Sequence, residues 1–209
     1  MEEEVLKIAG LEFNYHFDNW KEMVSIIKHK KKDCKDIYFV KYDDAVQILE
    51  KFFTNKEFEF LMTSNLLIAP AAMKHHANYK YGLFAHSYLV GLELMELTEK
   101  LNLSWDNKLS PMRIGLLHDI CKTTDYIINQ DDTIVANKES SYGGHGDKSI
   151  IILAGHIDLT EQEKLCIRYH MGAFTEKEEW GYYTRAVKKD INVMYTNVAD
   201  MIASQIRGV

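Results

Sequence analysis

Cysteine is scarce and scattered. Cys34, Cys121 and Cys166 are the only three in 209 residues. An odd number at wide spacing excludes a disulfide framework and a zinc site built of thiolates, and it points to a reducing compartment. No apolar run approaches the roughly 20 residues needed to cross a bilayer. The opening Met-Glu-Glu-Glu is acidic, unlike a secretory or mitochondrial targeting peptide. A cytoplasmic protein without membrane contact is the expectation. Positive charge is also in short supply. A net charge of −6 argues against a broad surface for long duplex nucleic acid, which needs many phosphate-neutralising cations. A small phosphorylated ligand remains compatible, because a bound metal supplies local positive charge. The glycine-rich turn Tyr142–Gly146 lacks the spacing of a phosphate-binding P-loop.

What is present is an ordinary globular composition, 46% hydrophobic and 27% charged, long enough for one domain with a substantial core. The fold class expected is all-α, a helical bundle with a small hairpin. Residues 1–69 read as an N-terminal helical extension, a source of specificity or of homodimerisation, and residues 70–209 as the main domain. A weak alternation in residues 1–17 suggests a short strand pair, and Asp18 to Lys30 has helical spacing. Lys28 to Lys35 reads as a solvated basic run, and Ile37 to Val40 as a short strand. Helices follow over Tyr42 to Phe53 and Asn55 to Ile68, closed by Pro70. Ala71 to Lys80 is a loop carrying His75 and His76, and Gly82 to Leu101 a long amphipathic helix carrying His86. Ser110 as N-cap and Pro111 at the first position open a helix over 110–123. Asp125 to Ala136 reads as the hairpin, and Asp147 to Gly155 as a helix. The capping box Thr160–Glu163 starts another helix that ends near Met171. An acidic, aromatic loop spans Phe174 to Tyr183. The last helix runs from Asp190 to Arg207, with Ile191, Met194, Val198, Met201 and Ile202 inward.

The chain is organised around Gly115-Leu116-Leu117-His118-Asp119-Ile120-Cys121-Lys122. Ile114, Leu117, Ile120 and Cys121 form an apolar stripe, with the His-Asp pair at its edge. Adjacent side chains on a helix point about 100° apart, so His118 and Asp119 reach one object only if it lies between them. A divalent transition metal is such an object. A core histidine beside a solvated acid is the other reading of the pair alone. His86, His145 and His170, with Asp200, occupy further buried-looking segments. Four such histidines with two acids favour a shared metal site over independent core residues, since each buried polar group costs about 1–3 kcal/mol unless satisfied. Imidazole and carboxylate without thiolate admit Mn, Fe, Co, Ni or Zn.

These motifs resemble the HD-domain superfamily of metal-dependent phosphohydrolases, whose pattern is a His, a His-Asp pair and a distant Asp on a helical bundle. The segments YGLFAHSYLV, GLLHDICK, GGHGDKSI, IRYHMGAF and NVADMIAS carry the resemblance across roughly residues 70–207. It implies His86, His118, Asp119 and Asp200 as ligands, with His145 and His170 completing the set of members that hold two metals. Asp119 would bridge the ions, with His86, His118 and Asp200 on the first and His145 and His170 on the second. The chain is also similar to small bacterial and phage HD hydrolases and to the HD domain of bacterial 3′–5′ exoribonucleases. The stretch PAAMKHHANYKYGLFAHS matches the segment before the first ligand in the exonucleases and turns His76 toward substrate. Residues 1–69 do not supply the nucleic-acid-binding domain of those exonucleases.

The implied activity is hydrolysis of a phosphoester or phosphoanhydride bond, by metal-bound hydroxide, in a nucleotide or a short oligonucleotide end. Two ions about 3.5–4 Å apart activate water and neutralise the phosphoryl group. Lys122, nearly one turn after Asp119, leans toward the same mouth and suits a phosphate oxygen; the other reading is a surface lysine. His76 protonates the leaving oxygen or hydrogen-bonds substrate, unless it is simply solvent-exposed. Tyr126, Trp180 and Tyr182 can stack a base or pack as lids. Arg168, His16, His29 and His156 receive no role, and Cys121 and Cys166 read as small core residues. Two other classes share the ligand pattern: HD-type di-iron oxygenases, and modules that sense a nucleotide without turnover.

Overall fold

A computed structural model of the chain describes residues 40–131 and 133–209, together with the backbone of three short strands before them. These strands, β1 (Glu3–Leu6), β2 (Ile26–His29) and β3 (Ile37–Phe39), form an antiparallel sheet in the order β1-β2-β3. Val5 pairs with Ile27, and Ile27 with Phe39. The helix expected over Asp18 to Lys30 is therefore corrected at 26–29, where the β-branched pair Ile26-Ile27 enters a ladder. The rest of that expected helix, most of the 1–17 alternation and most of the basic run lie outside the described residues.

The remainder is mostly helical. Helix α1 (Tyr42–Phe52) buries Ala45, Ile48, Leu49 and Phe52, and it has Asp43 and Asp44 in its first turn and Lys51 in its last. That charge order complements the helix dipole. Helix α2 (Asn55–Thr63) opens on a capping box between Thr54 and Glu57. Leu49, Leu61, Leu83, Leu116, Leu153 and Ile167 belong to one hydrophobic core, which runs through both sides of residue 70.

Helix α3 (Gly82–Leu101) is the central element, with most of its residues buried. Helix α4 (Ser110–Leu117) crosses it at nearly touching backbones. A Cβ added at Gly115 would stand 2.2 Å from the Gly91 nitrogen, so no larger residue fits that crossing. Ser110 is the first helical residue rather than the cap. Leu109 is the cap; the Ser110 hydroxyl donates to Glu163, and the Asn107 side chain accepts from the Leu109 N–H in the turn before the helix. After Leu117 the chain tightens: Ile120 and Lys122 donate three residues back, to Leu117 and Asp119. The expected helix over 110–123 is thus two pieces, α4 and the short α5 (Lys122–Asp125). The tightened turn between them holds His118, Asp119 and Cys121.

The hairpin β4 (Tyr126–Ile128) and β5 (Ile134–Ala136) follows, with Ile127 opposite Val135. Helix α6 (His145–Leu153) starts two residues earlier than expected, which places His145 in its first turn. Helix α7 (Glu161–Arg168) uses the Thr160–Glu163 capping box. The segment 174–183 is not all loop. After two 3₁₀ turns, α8 (Trp180–Lys189) begins at Trp180, whose indole donates to the Thr175 carbonyl. Helix α9 (Asn192–Met201) continues as a π-helical turn over Ile202–Arg207. Its inward face is Val193, Thr196, Ala199 and Ala203, while Ile191 and Met201 are exposed. Small residues on that face let α9 pack against α3 and α7, and this geometry overrides the larger apolar stripe. No helix among the described residues is long and apolar enough to cross a membrane.

One buried ion network ties α2, α4 and α7 together. Arg113 donates to Glu57, to Glu163 and to the Phe52 and Asp158 carbonyls. Burial pushes the Glu57 carboxyl up, but its bonds with Arg113 and Thr54 outweigh this and hold it below its ordinary 4.5. The stabilisation from Glu57 is therefore complete above pH 4.5 and is lost as pH falls through the lowered value. Urea unfolding should show Glu57→Gln less stable at neutral pH by about 1–3 kcal/mol, with a flatter acid limb than wild type. Arg113→Met strands two buried carboxylates and should cost about 3–5 kcal/mol.

Candidate metal centre

Three imidazoles are anchored in the same way. His86 in α3 donates from Nδ1 to the Val209 carbonyl (2.8 Å), His118 to the Gly115 carbonyl (2.8 Å) and His170 to the Ile167 carbonyl (2.7 Å). All three are fully buried. A neutral imidazole that donates at Nδ1 keeps its lone pair at Nε2. The Nε2 atoms of His76, His86, His118 and His170 are buried without a hydrogen-bond partner. These four are among only six such side-chain atoms in the described residues, and they lie together. Ring centroids are 4.6 Å apart for His76 and His86, 5.3 Å for His86 and His118, and 4.9 Å for His118 and His170. An unmet buried polar group costs about 1–3 kcal/mol, so the cluster calls for a common partner.

The acids face these nitrogens. Asp200 Oδ1 is 3.3 Å from His86 Nε2. Asp119 divides its oxygens, Oδ2 lying 3.7 Å from His118 Nε2 and Oδ1 3.4 Å from His170 Nε2. A lone pair set against a carboxylate oxygen is repulsive unless a proton or a cation stands between. Donors held about 2.1–2.3 Å from a tetrahedral ion lie about 3.4–3.8 Å from one another, close to the spacings found. Three groups have donor atoms within 4.8 Å of one another: His86, His118 and Asp119; His118, His170 and Asp200; and Asp119, Cys121 and His145.

Burial opposes charge on every histidine here, and the neighbours decide the outcome. For His118, burial dominates, aided by His170, and its pKa falls to about 4. For His86 and His170, burial is outweighed by Asp200 and Asp119 respectively, and both values rise. Burial raises both acids too, but Lys122 and His118 hold Asp119 well below the usual carboxylate range, and His86 brings Asp200 to about 2. The acids are therefore ionised, and His118 is neutral and presents a lone pair; on His86 and His170 the facing acids favour a proton, which a cation would displace.

The structure brings His86, His118, Asp119, His145, His170 and Asp200 into one cluster, with His76 at its edge. The segments that supply them are held by close packing. A Cβ added at Gly146 would stand 1.9 Å from the Arg168 carbonyl oxygen, and this contact sets His145 against the end of α7. Lys122 is buried rather than at a surface helix end, and its Nζ donates to His145 Nδ1 at 3.1 Å. Burial disfavours its charge, yet Asp119 overcomes this and raises its pKa. Tyr126 lies beside it, with Nζ 5.8 Å from the ring centroid. Arg168 pairs with Asp147 and Glu179, and His156 stacks on Phe60. Sequence reasoning missed Cys121 as a neighbour of the cluster and Val209 as the anchor of His86. The position of Cys121, two residues past Asp119 in a turn, was the only signal of the first.

An apolar cavity of about 610 Å³ also exists, lined by Tyr42, Ala45, Met62, Ile68 and Phe84 among others. Phe84 is about 200° around α3 from His86, so this cavity opens on the other side of the helix from the cluster. No family model, curated protein or solved structure matches the chain.

If the cluster holds a divalent ion, adding Mn²⁺ or Zn²⁺ at about 100 times its dissociation constant should stabilise metal-free protein by about 2.7 kcal/mol. Calorimetric unfolding should show that gain in wild type and in His156→Ala, and its loss in Asp119→Ala.

Proposed function

We propose that the chain is an HD-type metal-dependent phosphohydrolase, acting on a phosphoester or phosphoanhydride bond of a nucleotide or a short oligonucleotide end. The observation that carries this reading is the Asp119 carboxylate. Its two oxygens face separate histidines whose Nε2 atoms have no other partner, beside a buried ammonium group. One or two divalent ions, when bound, supply an activated water nucleophile and neutralise charge on the phosphoryl group. His86, His118 and Asp200 would hold one position, and His145 and His170 the other, with Asp119 common to both.

The chain's own groups do the rest. The Val209, Gly115 and Ile167 carbonyls fix the tautomer and ring orientation of the three buried histidines, a support that also raises ligand basicity. Lys122 brings a full positive charge to Asp119 and His145 and is the protein cation suited to a phosphate oxygen. Burial, reinforced by His86, lowers His76 to about 4. A neutral His76 is suited to orienting substrate by hydrogen bonding rather than to entering the reaction as a charged acid.

The test is product formation by mass spectrometry with Mn²⁺ and with Fe²⁺ in air, over nucleoside phosphates, cyclic nucleotides, short RNA and DNA, and polyols. Phosphate or nucleotide release is expected from wild type, none from Asp119→Ala, and a rate lower by about 100- to 1000-fold from Lys122→Met, the scale for losing one transition-state charge partner. Oxygen-dependent products with iron would replace the hydrolase with an oxygenase. Metal binding without turnover would replace it with a sensor.

A further inference from the structure

Cys121 is fully buried, but its surroundings are not those of a core thiol. Its Sγ lies 3.9 Å from Asp119 Oδ1 and 3.6 Å from His145 Nδ1. The same Asp119 oxygen is 3.4 Å from His170 Nε2, a fully buried nitrogen without a hydrogen-bond partner. The sulfur of Cys121, an oxygen of Asp119 and a nitrogen of His145 thus lie within 4.8 Å of one another, a spacing that suits donors about a single small cation. On the opposite side of Asp119, Oδ2 faces His118, and that donor set contains no sulfur.

We propose that the cation position on the Oδ1 side of Asp119 is a mixed thiolate site, formed by Asp119, Cys121 and His145 with His170 against the same carboxylate oxygen, for a borderline divalent ion such as zinc, ferrous iron or cobalt. It rests on the metal-centre reading above and makes the two halves of that centre chemically unequal. Thiolate selects zinc, iron and cobalt over magnesium and manganese, whereas imidazole with carboxylate alone is less discriminating. Binding replaces the thiol proton with the metal: the S–H bond breaks, an S–metal bond forms, and one proton leaves to solvent. It also requires His145 Nδ1 to exchange its hydrogen bond from Lys122 for the metal. The ammonium is then free to turn to an anionic ligand. The choice of metal at one position and the availability of Lys122 are thereby coupled through His145.

Cobalt titration of metal-free, full-length protein tests this by absorption spectroscopy. Visible ligand-field bands should grow together with an intense near-ultraviolet thiolate-to-cobalt charge-transfer band. Cys121→Ser should lose the near-ultraviolet band and keep the visible ones, while Cys34→Ser and Cys166→Ser keep both. Visible bands without the charge-transfer band in wild type would overturn the thiolate and leave the metal centre standing. A charge-transfer band that survives in Cys121→Ser would do the same. No cobalt bands at all would overturn the centre and this inference with it. If Cys121→Ser does not fold, the wild-type spectrum decides alone.

Discussion

The structure depends on the crossing of α3 and α4 at Gly91 and Gly115. Their backbones meet where a single added methyl group would fall 2.2 Å from a main-chain nitrogen. This contact, not the hydrophobic stripe alone, sets the depth at which His118 enters the core opposite His86. It has a second use, because the Gly115 carbonyl accepts the His118 Nδ1 hydrogen. One glycine thus fixes both the approach of two helices and the tautomer of a candidate ligand. The contact of Gly146 with the Arg168 carbonyl does for α6 and α7 what this crossing does for α3 and α4.

The cluster is costly as it stands. Four buried imidazole nitrogens have no hydrogen-bond partner, and two ionised acids face them in a setting that disfavours charge. Elsewhere the chain satisfies its buried charges with care. Arg113 meets two carboxylates and two carbonyls, and Lys148 meets Asp125 and Ser140. A fold that closes those networks and leaves this one open has concentrated at one place four of the six unmet buried side-chain atoms among its described residues. Function is the usual reason for such a concentration.

Much of this was legible in the sequence, for reasons that differ by element. The bounds of α3 follow from an unbroken apolar pattern, and those of α7 from a capping box. The histidine cluster was legible because each imidazole sits in an apolar segment where it is expensive. The register of α9 was not legible, because Ala199 and Ala203 face inward for their small size and not for their hydrophobicity. Helix α8 was hidden by polar and aromatic residues whose inward face, centred on Ala186, is narrow. Strand β2 was lost because Ile26 and Ile27 suit a helical period as well as a ladder, and only the partners β1 and β3 decide between them. Lys122 was legible as leaning toward the site, but its burial was not, because nothing local announces that Asp119 and His145 hold it inside.

A shared metal centre is tested most directly by anomalous X-ray scattering from crystals grown with manganese and, separately, with zinc. The expected result is a peak bounded by His86, His118, Asp119 and Asp200, with a second one on the far side of Asp119 beside His145 and His170. Crystals that bind metal only elsewhere, with His86 and His170 hydrogen-bonded directly to the two acids, would contradict it: the open lone pairs would then be filled by protons, and the cluster would be a buried ion network like the one around Arg113.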